Sequence, residues 1–285
     1  MISGNLVDAS VRARFDLSGR VAVITGGGGL LGAQHADAIA EMGGTPVLLD
    51  IDTRHAQETA ERVSKKYGVP AVALSADITQ AESILGTVRQ VTERFGQIDI
   101  LINNAARNPK QEQLNGANEG SSRLEGFSVT SWNEDLAVGL TGAFLCSQLI
   151  GQEMAKRGRG VILNIASDLG VIAPDQRIYR RADLPDHQQP VKPVSYSVVK
   201  HGLIGLTRYL ATYWAEQGVR VNALSPGGVY TGQDEAFVAR LTHLIPLGRM
   251  ARQDEYKAAV VFLVSDASSY MTGTNMIMDG GRTVW

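Results

Sequence analysis

The chain has 285 residues, with 27 Lys+Arg against 29 Asp+Glu and a single cysteine, Cys146. That length supports one large α/β domain with a substantial core. The near-balanced charge gives no general attraction to nucleic acid or to an anionic membrane, and one cysteine excludes an intrachain disulfide framework.

The polar opening Met1-Ile2-Ser3-Gly4-Asn5 lacks the apolar centre of a signal peptide, and no apolar run is long enough to span a bilayer; a cytoplasmic protein is expected. Further on, the apolar run Val21–Thr25 predicts a buried strand, followed by a glycine turn and a helix over 32–42 that stops at Gly43-Gly44. Thr45–Asp50 reads as the next strand and Thr53–Tyr67 as a helix closed by Gly68. A strand over 69–75, a helix over 80–95 and a strand over 98–103 follow. The second half reads as helix 131–156, strand 161–166, helix 195–217, strand 219–224, helix 254–264 and a last strand Asn275–Met278. Apolar strands alternating with helices predict a parallel sheet covered on both faces. The fold class is therefore α/β: a doubly wound, Rossmann-like three-layer sandwich. No internal repeat or linker interrupts it, so 15–285 reads as one domain preceded by an arm over 1–14. Two polar stretches, 107–129 and 175–193, fit no regular element. Each follows a strand, and ligands of such sheets bind outside the carboxyl ends of the strands. Both are expected to overhang the site.

Two motifs carry chemistry. Thr25-Gly26-Gly27-Gly28-Gly29-Leu30-Leu31-Gly32 runs from a buried strand into a helix. Glycines there permit the tight turn, the close approach of backbone to a pyrophosphate and close helix–strand packing. Asp50 ends the second strand, where a carboxylate accepts from ribose hydroxyls and repels a 2′-phosphate, so NAD is expected over NADP. Asp52 competes for that role, and Arg54 is a possible phosphate partner. Asp77 and Ile78, after the third strand, are placed to meet the adenine. The second motif, Tyr196-Ser197-Val198-Val199-Lys200, puts a phenol and an ammonium one helical turn apart. An ammonium beside a phenol favours the phenolate, which makes tyrosine a usable base. A cofactor cradle with such a pair implies hydride transfer at a carbonyl carbon.

With these residues in hand, the chain resembles the short-chain dehydrogenase/reductase family from Phe15 onward. Matching features are Asn103-Asn104-Ala105, Asn164-Ile165-Ala166-Ser167, Tyr196-x-x-x-Lys200, Pro226-Gly227-x-Val229-x-Thr231 and Gly273…Asp279-Gly280-Gly281. The resemblance implies a single Rossmann-like domain that assembles into a homotetramer through its long fourth and fifth helices, here 132–156 and 195–217. The second of these carries Leu203, Leu206, Tyr209, Leu210, Tyr213 and Trp214. It implies that Ser167 orients the carbonyl, Tyr196 is the general acid/base, and Lys200 binds the nicotinamide ribose and lowers the tyrosine pKa. Gly26, Gly29, Leu30, Leu31, Asp50, Asp77, Ile78, Asn104, Ala105, Tyr196, Lys200, Pro226, Val229 and Thr231 would then contact the cofactor. A small-molecule substrate is expected, and no metal, nucleic acid or membrane partner.

Three departures stand out. Leu30 replaces a glycine usual in the classical branch, and the spacing of Gly26, Gly29 and Gly32 is similar to the extended branch. Gly139 replaces an asparagine that bends the fourth helix and anchors a relay water; a carbonyl at the bend is expected to replace it, and Gly139→Asn to be tolerated. The chain between Ser167 and Tyr196 is longer than usual by the 175–193 loop. That loop carries Arg177, Arg180, Arg181, His187 and Lys192, and the earlier one Arg107 and Lys110. The arginines 107, 177, 180 and 181 are candidates to hold a polar, anionic or sugar-like substrate. The leading expectation is an NAD-dependent enzyme interconverting a secondary alcohol and a ketone. The rivals are a catalytically impaired NAD-binding sensor or scaffold and an NADPH-dependent carbonyl reductase.

Overall fold

The computed structural model describes residues 10–107 and 122–285. Seven parallel strands form one sheet in the order β3-β2-β1-β4-β5-β6-β7. They are β1 (Val21–Thr25), β2 (Thr45–Asp50), β3 (Val72–Ser75), β4 (Ile100–Asn103), β5 (Gly160–Ile165), β6 (Val219–Pro226) and β7 (Asn275–Met278). Alternate residues of a strand face opposite sides, and the core divides accordingly. Ala22, Ile24, Leu48, Ile100, Ile102, Leu163 and Ile165 pack on one face under α2 (Leu30–Glu41), α3 (Thr53–Tyr67) and α9 (Lys257–Val264). Val21, Val23, Val47, Leu49, Leu101, Ile162 and Val221 pack on the other under α4 (Ala81–Phe95), α6 (Gly142–Lys156) and α7 (Val194–Tyr213). The predicted single-domain three-layer sandwich is the observed one. A four-residue helix, α1 (Val11–Arg14), belongs to the N-terminal arm, most of which, with Lys110 and 108–121, lies outside the described residues.

Local chemistry explains most boundaries. Asp52 caps α3 by accepting from Arg54 N–H, and Gly68 closes it at φ +69°. The third strand starts at Val72, not at 69, since Pro70 has no N–H for the ladder. The predicted helix 131–156 is three pieces: α5 (Val129–Leu136), a π-helical turn (Ala137–Thr141) and α6. Besides the four-residue α1, one helix was absent from the sequence reading: α8 (Glu235–Thr242), capped by Asp234 accepting from Phe237 N–H. Its signal was that aspartate before Phe237, Val238 and Leu241.

Strand β1 pairs with β2 on one side and β4 on the other, so the chain reverses its direction of winding there. The crevice beyond the carboxyl ends of β1, β4 and β5 is where such sheets bind ligands.

Candidate active site

The glycine loop begins at Gly26, held at φ +63° against β4. Asn104 clamps it, donating from Nδ2 to Thr25 O (3.0 Å) and Gly26 O (3.1 Å). Thr25 Oγ1 accepts from Asn104 N and Ala105 N, both at 3.0 Å. Asn104 and Ala105 therefore hold the loop from beneath. Gly29 caps α2 without any side-chain bond and no acid sits in its first turn, so the N–H groups there are open to an anion. Leu30 is exposed at that turn, whereas Leu31 packs into the core.

Asp50 is half-buried; its Oδ2 accepts from Gly28 N–H at 2.9 Å and its Oδ1 from Asp52 N–H at 3.1 Å. Two anchored oxygens leave further lone pairs for hydroxyls. A Cβ on Gly28 would come within 2.9 Å of Ala56 N and 3.2 Å of Asp50 Oδ2, filling the gap between loop and carboxylate. Open helix-end N–H groups beside a held carboxylate fit a dinucleotide. Asp52 is committed to the α3 cap. Asp77 Oδ1 accepts from Thr79 N (2.9 Å) and Oγ1 (2.7 Å), so it fixes its own turn; Ile78 is buried against the start of α6. Pro226 ends β6, Val229 bridges Ala251, and Thr231 N–H donates to Gln233 Oε1 at 2.8 Å.

Ser167, Tyr196 and Lys200 converge past the end of β5. Lys200 is buried, and its Nζ donates to Ile165 O at 2.8 Å. Its ammonium lies 5.7 Å from the centre of the Tyr196 ring. Burial pulls Lys200 down to about 8, and the nearby Lys192 charge adds to this. Burial also raises Tyr196, opposed by the Ser167 hydroxyl facing it and reinforced by Asp168. In the protein alone, burial thus outweighs the lowering expected from Lys200.

An ion pair missed in the sequence, Asp168–Arg282, completes the site. Ser167 Oγ donates to Asp168 Oδ1 at 2.8 Å, and Arg282 Nη1 donates to Asp168 Oδ2 at 2.7 Å, with the ion pair buried on both sides. Arg282 follows Gly280 and Gly281, both at positive φ, which turn the chain inward. Its signal was an arginine directly after that glycine pair. Lys192, named only as a loop charge, stands 3.7 Å from the Tyr196 ring centre.

The arginine candidates are mostly engaged. Arg107 pairs with Glu134 (2.7 Å) and Asp135 (3.3 Å). Arg177 and Arg181 each fork onto an aspartate two residues away, Asp175 and Asp183. The exposed Arg180 side chain makes no ion pair with a described residue, while its carbonyl accepts from Arg240. Gly139 lies in the π-helical turn, and a Cβ there would fall 2.6 Å from Val199 Cγ1. Room for an asparagine, expected from the sequence, does not exist. Likewise Leu203, Leu210 and Trp214, expected at a subunit contact, are buried in the chain's own core; Tyr209 and Tyr213 remain exposed and stacked. No group of metal-ligating residues lies among the described residues, and none of their helices is long and apolar enough to cross a membrane.

Comparison with known proteins agrees with this geometry. The family model described as short chain dehydrogenase matches residues 20–179, and that described as Enoyl-(Acyl carrier protein) reductase matches 187–283. The chain is 33% identical to D-threitol dehydrogenase of Mycolicibacterium smegmatis, over 97% of this chain and 98% of that protein. It is 32% identical to an NAD-dependent glycerol dehydrogenase of Listeria innocua, over 95% and 96%. The crystal structure of a gluconate 5-dehydrogenase from Burkholderia cenocepacia, in complex with NADP and tartrate, superposes with a TM-score of 0.82 at 29% identity, over 97% of this chain and 100% of that one. The chain therefore belongs to the short-chain dehydrogenase/reductase family and is an NAD(P)-dependent oxidoreductase that acts on CH–OH groups.

Proposed function

We propose that the protein is an NAD-dependent dehydrogenase of small polyols or related polar hydroxy compounds, interconverting a secondary alcohol and its ketone. The observation that carries this reading is the convergence of Ser167, Tyr196 and Lys200 at the end of β5. The relatives that act on threitol, glycerol and gluconate support the substrate class. Asp50, held by Gly28 N–H, supports NAD, because a 2′-phosphate would meet its carboxylate.

In this reading, a nicotinamide dinucleotide held by the glycine loop and Asp50 would supply the hydride acceptor for oxidation and the hydride donor for reduction. Tyr196 as phenolate takes the alcohol proton; as phenol it gives the proton back. The Ser167 hydroxyl turns from Asp168 to the substrate oxygen and stabilises charge there. Lys200, tethered to Ile165 O and beside the phenol, would hold the nicotinamide ribose. Of the four loop arginines, Arg180 keeps a role toward substrate, and Arg107, Arg177 and Arg181 hold their loops. Self-association through the exposed faces of α6 and α7, with Tyr209 and Tyr213 at the contact, belongs to the same proposal. NAD reduction is followed by absorbance over a panel of threitol, glycerol, mannitol and gluconate, with Tyr196→Phe in parallel. Turnover abolished by Tyr196→Phe, with NADH binding retained, supports the reading. Undiminished turnover by the variant refutes it.

A further inference from the structure

The 175–193 segment is a built strap. Its Ile178 is buried with Leu241, Ile245 and Met250, and Tyr179 packs on Phe237 at 5.6 Å between ring centres. Arg240 of α8 donates to Ile178 O and Arg180 O, both at 2.9 Å. The Gln189 amide accepts from Arg181 N and donates to Arg181 O, both at 2.8 Å. At the end of the strap, Val191 N–H donates to Ser122 Oγ (3.0 Å) and Lys192 N–H to Gln176 Oε1 (2.8 Å). The backbone of Lys192 is therefore fixed, and its ammonium rests 3.7 Å from the Tyr196 ring centre, closer than the 5.7 Å of Lys200.

An ammonium on a ring face is attracted by the π-system. A phenolate spreads its negative charge into that ring, so the ammonium favours the ionised form over the neutral one. The other charged and titratable groups facing the phenol are Ser167 and Asp168 after β5, Lys200 on α7 and Tyr179 on the strap. Asp135 of α5 and Asp168 face the Lys192 ammonium, and Arg282 neutralises Asp168. Burial lowers the Lys192 pKa, and the Asp168 and Asp135 carboxylates oppose that shift and favour the cation.

We propose that Lys192 is a second ammonium acting on Tyr196, a positioning residue delivered by the strap that favours the phenolate and so moves alcohol oxidation toward neutral pH. The proposal rests on Tyr196 being the proton-exchanging group. It is tested with Lys192→Met, which keeps the apolar stem, and Lys192→Arg, which keeps the charge. Two readouts are taken for each: the pH profile of kcat/KM for oxidation of whichever polyol is turned over, and the ultraviolet phenolate titration of the cofactor-free protein, in which the Tyr196 step is the one missing from Tyr196→Phe. Lys192→Met is expected to move the acid limb and the phenolate step up by about one pH unit, with NADH affinity unchanged. Lys192→Arg is expected to restore most of the shift. An unmoved limb and an unmoved step in Lys192→Met overturn the proposal. So does a rise in KM confined to carboxylate-bearing polyols with both readouts fixed, which would make Lys192 a substrate anchor. Failure of the underlying reading is separately visible, as turnover that survives Tyr196→Phe.

Discussion

Val199, the residue before Lys200 on α7, fills the space beside Gly139: a Cβ on the glycine would lie 2.6 Å from Val199 Cγ1. A β-branched side chain on a helix has little rotamer freedom to move aside. Gly139→Asn is therefore expected to lower stability by about 1–3 kcal/mol through overpacking, with a loss of turnover as α7 shifts Lys200. Gly139→Asn combined with Val199→Ala should recover most of both. Thermal melts and steady-state rates of the three variants check this; a neutral single variant contradicts it.

Asp168 links Ser167 to Arg282 inside the protein. Removing one partner of a buried ion pair strands the other charge, at a cost of about 3–5 kcal/mol. Arg282→Met should be destabilising on that scale and should also slow turnover, since Asp168 without its partner opposes ionisation of Tyr196. Asp168→Asn with Arg282→Met should be milder than the sum of the two. Urea unfolding of the cycle measures the coupling.

NAD is expected to bind at least about tenfold tighter than NADP, a difference of about 1.4 kcal/mol, because of the Asp50 carboxylate. Asp50→Ala should narrow the gap, chiefly by improving NADP. Fluorescence titration with both reduced cofactors decides it.

The pH dependence of the two directions should be opposite. Burial raises the Tyr196 pKa, so the phenolate needed for oxidation accumulates on the alkaline side, and the phenol needed for reduction prevails at neutral pH and below. Oxidation should rise with pH above neutrality while reduction falls. Initial rates in both directions across that range are the measurement.

His35 is buried in α2, and burial lowers its pKa from 6.5 to about 4, with the Asn104 side chain opposing the shift. As pH falls through 6.5, the unfolded chain takes up this proton first, so stability is full above that value and declines until about 4. The decline attributable to this group is about 3 kcal/mol. His35→Leu should flatten the corresponding part of the curve of unfolding free energy against pH.

The strands, the glycine turn and the Tyr196–Lys200 pair were legible because each is announced by residues close in sequence, an apolar run before glycines or a phenol one turn from an ammonium, whereas Ser167 came only with the family resemblance. What escaped depends on distant partners. Arg282 gains its meaning from Asp168, 114 positions earlier. Lys192 looked like one charge among several until the strap's anchors fixed it over a ring. The arginines of the same loop looked free for substrate, but local aspartates claim two of them. The Gly139 expectation treated a missing side chain as open space, and Val199 fills it.

The clamp from Asn104 to Gly26 spans 78 positions of sequence. The glycine loop is synthesised early and holds part of its own curve, with Gly29 N–H donating to Gly26 O and Gly27 N–H to Leu49 O, but the Asn104 amide that clamps Thr25 O and Gly26 O arrives only when β4 has docked beside β1. Pairing over that separation carries a large loop-closure entropy and makes for slow folding. The clamp on the phosphate cradle is thus completed from a distant strand: a chain that stops short of β4 keeps the local bonds of Gly27, Gly28 and Gly29 but lacks the Asn104 amide that ties the loop to the middle of the sheet.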